Sequence, residues 1–202
     1  MPCCKTQPSD SVCRPQTAGI ASDYTLKGLI DNYRANYPAP FKGIDDLSSI
    51  LDYVCGLHND KLELKPKFRR CSHQSCISND VIIEMTTVLA NIESIQFQDF
   101  EELRQYVSNK RVTGFGDLCV YDFCVRYAWS RNLRPRKYVY IHAGAMKGAK
   151  ALYKAGYLNV KPSGPALAIE TFPQDVQNLE AMDIENLLCI YHKQLKKLQP
   201  IK

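Results

Sequence analysis

Four soft ligands stand in two short clusters: Cys55-x2-His58 and, after twelve intervening residues, Cys71-x4-Cys76. Thiolates and imidazoles at such spacing are the donor set of a tetrahedral zinc site, and His73 inside the second cluster is an alternative ligand. A plainer reading stands beside it. Cys55 and His58 fall on one side of a helix expected over 45–58, and the spacing is not that of a familiar zinc finger. The expectation is therefore no cofactor, with zinc on Cys55, His58, Cys71 and Cys76 as the alternative. His142 offers an imidazole able to act as acid or base beside an anion, but no Ser or Cys adjoins it, so an ordinary buried or solvated histidine is the simpler reading. Gly144-Ala145-Met146-Lys147-Gly148-Ala149-Lys150 has the glycines and lysines of a phosphate loop. It lacks both the spacing and the hydroxyl that a P-loop needs, and its small residues suit close helix packing.

The sharpest feature is Val112-Thr113-Gly114-Phe115-Gly116, set between two amphipathic stretches. Over about residues 99–130 the sequence resembles the helix-hairpin-helix family of nucleic-acid-binding motifs, whose hairpin has the form apolar-x-Gly-apolar-Gly. Two glycines let the backbone turn tightly and approach a phosphate without interference from a Cβ. The amides at the start of the following helix then face an anion that its dipole favours. The resemblance implies that Gly114 and Gly116 offer amides, that Phe115 anchors the hairpin, and that Thr113 adds a hydroxyl. Lys110, Arg111, Arg126 and Arg131 become the candidate flanking phosphate contacts. Such contacts read backbone and not bases, so binding is expected to be sequence-independent and salt-sensitive. A Gly-apolar-Gly turn also joins helices in proteins that never meet a nucleic acid, and Asp117 beside the turn can cap the second helix and repel a phosphate.

Some members of that family are base-excision DNA glycosylases, in which an Asp needed for catalysis follows the hairpin. The matching region here, Arg136–His142, contains no carboxylate, and no Asp or Glu occurs from Phe123 through Ile169. Nor does a Lys follow in the first turn after the hairpin, where lyase members carry their amine. The expectation is a binder without catalysis of its own. Two alternatives remain open: an enzyme with a site near His142, and a helical protein-interaction module.

Charge points the same way. The 202 residues carry a net +5, but Arg104–Lys154 holds eleven basic residues against two acidic ones, a local +9 on a remainder of −4. A near-neutral chain with one basic block suits a surface that faces a polyanion. Tyr138, Tyr140 and His142, beside Arg134, Arg136 and Lys137, share one face of an extended segment, as stacking on unpaired bases requires. An ordinary amphipathic edge strand reads the same.

The elements that must hold these residues are mostly helical. Apolar spacing predicts helices over 23–36 (Leu26, Leu29, Ile30, Tyr33), 45–58 (Leu47, Ile50, Leu51, Val54) and 80–92 (Val81, Ile82, Met85, Val88, Leu89). A polar, basic connection is expected over 59–77. Further helices are expected over 99–110, 117–130, 145–153 and 184–198, with extended pieces at 137–142 and 165–172. Asp99 with Glu102 three places on is a capping box. The fold class expected is mainly α: a flexible Pro/Ser/Thr-rich arm over 1–21, then one compact helical domain over 22–202 with a possible two-stranded β element. No apolar run approaches the ~20 residues of a membrane span, and Met1–Lys5 lacks the pattern of a signal peptide. With nine cysteines, an odd number, a reduced cytoplasmic protein is expected, with nucleic acid as partner and no membrane.

Overall fold

The computed structural model describes residues 25–37, 57–58, 63–64 and 77–201. These fall into two compact units that divide between Arg134 and Pro135, with residues 25–37 belonging to the second. Among the described residues there are eight α-helices and two pairs of short strands, a mainly α architecture.

In the first unit, β1 (Leu57–His58) pairs antiparallel with β2 (Glu63–Leu64), Leu57 opposite Leu64 and His58 opposite Glu63. Leu57 and His58 are thus strand residues and not the end of the helix expected over 45–58, in keeping with the poor helical propensity of Gly56 before them. The rest of that expected helix, and Cys55, Cys71, His73 and Cys76, lie outside the described residues. Helix α2 (Asn79–Val88) is capped by Ser78, whose hydroxyl accepts the Val81 amide at 3.4 Å. It buries Ile82, Met85 and Thr86, with Leu89 just beyond its end, while Val81 is half-buried and Val88 exposed. It stops short of the expected Ile92, which a separate 3-10 turn (Ile92–Ser94) carries into the core. Helix α3 (Phe100–Lys110) starts where the sequence placed it: Asp99 Oδ1 accepts the Glu102 amide at 2.9 Å. The Glu102 carboxylate reaches further back and accepts the Gln98 amide at 2.7 Å.

Phe100, Leu103 and Val107 give α3 its buried stripe, and α3 packs on α4 (Asp117–Ser130). Helix α4 is the most deeply buried of this unit, as its two apolar sides predict. Its buried Tyr127 hydroxyl donates to the Ile92 carbonyl at 3.2 Å, and burial pushes that phenol above its ordinary range. Cys119 and Cys124 are buried free thiols that pack as small hydrophobes.

The second unit is built from α1 (Leu26–Asn36), β3 (Tyr138–Tyr140), α5 (Ala143–Lys154), β4 (Ala166–Ala168), α6 (Gln174–Gln177), α7 (Ala181–Ile190) and α8 (His192–Leu195). Strands β3 and β4 pair antiparallel with Val139 opposite Leu167. The Ile141 amide donating to the Pro165 carbonyl (2.8 Å) and the Ile169 amide donating to the Lys137 carbonyl (3.0 Å) extend the pairing at both ends. Tyr138 and Tyr140, two apart in β3, lie on one face of the strand, but that face is not open along its length: Tyr138 is exposed, Tyr140 is 5% exposed and His142 is half-buried, while Val139 and Ile141 enter the core on the other side.

Helix α5 lies against α7 at a distance only glycine allows. A Cβ at Gly144 would strike the Cys189 sulfur, and one at Gly148 would fall on the Leu188 carbonyl oxygen, far inside van der Waals contact. The small residues of 144–150 are thus explained by packing. The single last helix expected over 184–198 is two, α7 and α8, with Tyr191 between them at φ −95° and ψ 15°. Helix α1 is tied to α7 by two phenols: the Tyr33 hydroxyl donates to Asp183 at 2.8 Å, and the Tyr191 hydroxyl donates to Asn32. Burial, reinforced by the Asp183 carboxylate, holds the Tyr33 phenol well above its usual range. Burial, then Tyr37, pushes Tyr191 up to about 12.

Gly148→Ala is expected to cost the second unit about 1–3 kcal/mol or more, read by chemical denaturation, because α5 and α7 must separate to admit the methyl. A phenol whose folded pKa is raised stabilises fully below its unfolded value near 10 and loses that contribution as pH climbs through the folded one. Stability is therefore expected to be insensitive to Tyr191 up to about pH 10 and to fall between about 10 and 12, a fall that Tyr191→Phe diminishes.

Candidate functional site

The connection between α3 and α4 is a tight turn. The Phe115 amide donates to the Val112 carbonyl at 3.1 Å, and Gly114, third of the four residues, sits at φ +96°. Positive φ at that place is the requirement of a type II turn and selects glycine. Space selects it too, since a Cβ on Gly114 would stand 3.0 Å from a Val81 methyl at the start of α2. Phe115 is 3% exposed and anchors the turn in the core.

Gly116 differs. It is the N-cap of α4 at φ −74° and ψ 171°, a conformation open to any residue, and a Cβ there would meet nothing within 4 Å. Its carbonyl accepts the Cys119 and Val120 amides, both at 3.0 Å. The Asp117 and Leu118 amides precede the first intrahelical bond, and no side chain caps the helix. Ser, Thr, Asp or Asn would cap better, so this glycine leaves the surface bare where the fold does not require it. Thr113, Gly114 and Gly116 are all exposed.

The flanking cations are placed unequally. Lys110, in the last turn of α3, is exposed, with its ammonium 6.0 Å from the Tyr106 ring. Arg111, the C-cap of α3, forms an ion pair with Asp117 across the turn, and both side chains are about half exposed. Asp117 thus neutralises Arg111 and does not cap α4.

The structure does not bring Arg126 or Arg131 to this turn. Arg126 lies ten residues along α4, about 15 Å at 1.5 Å per residue, and its guanidinium is 10% exposed beside Asp122, donating to that residue's carbonyl at 2.9 Å. Arg131 caps the far end of α4, stacked 3.8 Å over Tyr127 and paired with Glu93 at 2.9 Å. Arg134 is similarly stacked 3.6 Å over Trp129. The candidate site is therefore Lys110–Asp117.

No family model matches the chain, and no curated protein or solved structure is detectably similar to it. The site stands on its own geometry.

His142 is the N-cap residue of α5, and its carbonyl accepts the Met146 amide at 3.0 Å. Among the described residues no group of three or more His, Cys, Asp or Glu could hold a metal, while three of the four zinc candidates lie outside them. Lys147, Lys150 and Lys154 belong to the basic block without matching any motif, and all three are exposed on α5.

The two glycines are expected to separate experimentally. Gly114→Ala, strained by both φ and Val81, destabilises by about 1–3 kcal/mol, whereas Gly116→Ala, which only exchanges a glycine N-cap for a poorer one, costs about 1 kcal/mol or less. Thermal or urea melts of the two variants measure the difference.

Proposed function

We propose that the chain is a cytoplasmic nucleic-acid-binding protein that grips phosphate backbone, independently of sequence and without catalysis, at the turn Val112–Gly116. The observation that carries this reading is Gly116: bare, sterically unrequired, and standing at the uncapped start of a fourteen-residue helix. A phosphate there accepts the first-turn amides and lies at the positive end of the helix dipole. Lys110 adds one exposed cation. Arg111 becomes a second when the anion draws it from Asp117, since the guanidinium fork fits a phosphate as it fits a carboxylate. Buried reduced thiols at Cys119 and Cys124 suit a reducing compartment.

The reading is tested with duplex and single-stranded oligonucleotides of arbitrary sequence. Gly116→Asp places a carboxylate where the phosphate would sit and is expected to weaken binding by roughly tenfold or more without lowering the melting temperature, since Asp is itself a good N-cap. Gly114→Asp would be ambiguous, because it damages the turn. Asp117→Asn is expected to strengthen binding by a few-fold, since it removes the neighbouring negative charge and releases Arg111. Binding unchanged by Gly116→Asp, or no binding by the unaltered chain at low salt, overturns the proposal.

A further inference from the structure

The described residues of the two units differ in charge. Residues 77–134, which contain the turn, carry six basic and eight acidic residues, whereas residues 25–37 with 135–201 carry eleven and six, a net +5. Among residues 77–134, Arg111, Arg126 and Arg131 are paired with carboxylates, and Arg134 is stacked on Trp129. Among the described residues, most of the unneutralised positive charge is in the second unit.

Its densest part is α5. Lys147, Lys150 and Lys154 follow at i, i+3 and i+7, so they line one face, with the buried Ala151 between Lys147 and Lys154 and with Ala145, Gly148, Ala149 and Leu152 buried on the other side. All three are exposed, and none forms an ion pair among the described residues. Tyr153, 39% exposed, flanks Lys150 and Lys154. Helix α8, which packs on α5, adds exposed Lys193.

From this geometry we infer that the second unit carries a phosphate-binding face of its own on α5, for a nucleic-acid strand. It rests on the α5 lysines and not on the turn at 112–116, so either reading can fail without the other. At 1.5 Å rise per residue, Lys147 to Lys154 span about 10 Å. A strand of duplex advances about 3.4 Å along the duplex axis per phosphate, so the length of the stripe covers about three such steps. Tyr153 supplies a ring on which an unpaired base can stack. The outward face carries no Leu, Ile, Phe or Trp to enter a bilayer. The glycine contact with α7 holds α5 as a platform, so the lysines have no packing role to lose.

The test is a salt series, about 50 to 200 mM, on the full chain and on Lys147→Gln/Lys150→Gln/Lys154→Gln. Each phosphate that a lysine no longer neutralises lowers the slope of log K against log salt by about 0.9. The triple variant's slope is therefore expected to be shallower by about 2.7, so that over that range the affinity of the unaltered chain falls about 40-fold further than that of the variant. Changing the same three lysines to Arg keeps the slope, and melting temperatures of all three proteins coincide. Tyr153→Ala is expected to weaken single-stranded binding by about fivefold or more and to spare duplex. The triple Gln change placed on Gly116→Asp separates the two proposals. A further fall in slope there supports the α5 face whatever becomes of the turn. An unchanged slope on both backgrounds overturns it. So does a triple variant that binds oligonucleotides normally while no longer binding anionic vesicles or poly-glutamate.

Discussion

The contact of α5 with α7 through Gly144 and Gly148 is the constraint on which the second unit depends. Helix α7 is the hub. It receives α5 on one side, β3 and α1 on others, and α8 follows it directly, so its distance from α5 sets how Ala145, Ala149, Leu152, Leu187 and Leu188 close the core. Interiors are packed to crystal density, so one methyl at this contact is felt by every neighbour. The same closeness turns the charged side of α5 outward, because a helix that buries alanine and glycine so deeply has one direction left for long polar side chains.

The first unit answers a different constraint. Its turn is fixed by Gly114, whose positive φ and contact with Val81 are internal demands, while Gly116 meets no internal demand. In the sequence the two glycines look alike. The structure separates them by what a side chain would meet: a methyl and a strained φ at Gly114, open space at Gly116.

Local signals were the legible ones. The start of α3 at Asp99, the extent of α4 and the pairing of the segments near 138 and 168 all follow from capping, periodicity and β-branched or aromatic runs. The turn at 112–116 was legible for the same reason. What tertiary packing decides was not: Val139 enters the core that α7 helps to form and Tyr140, its neighbour on the other face, is buried as well, which cancels the alternation their spacing suggests, and Tyr191 parts two helices that one apolar pattern runs together. Charges behaved likewise. Arg126 and Arg131 count as cations in the sequence, yet Asp122 and the Tyr127 ring, each four residues back on α4, and Glu93 occupy them; the first two partners follow from helical spacing, and only Glu93 has no local signal. The lysines of α5, with no acid from Phe123 through Ile169, keep the charge the sequence credits them with.

The second unit is discontinuous along the chain. Tyr33 meets Asp183 across 150 residues, and Asn32 meets Tyr191 across 159. During synthesis α1 emerges early and has no surface to rest on until α7 is made, whereas residues 77–134 are all available to one another long before that. Long loop closures are slow and entropically costly. The order of assembly on the ribosome therefore runs against the order of the sequence: residues 77–134 consolidate first, and α1 is among the last elements to find its place.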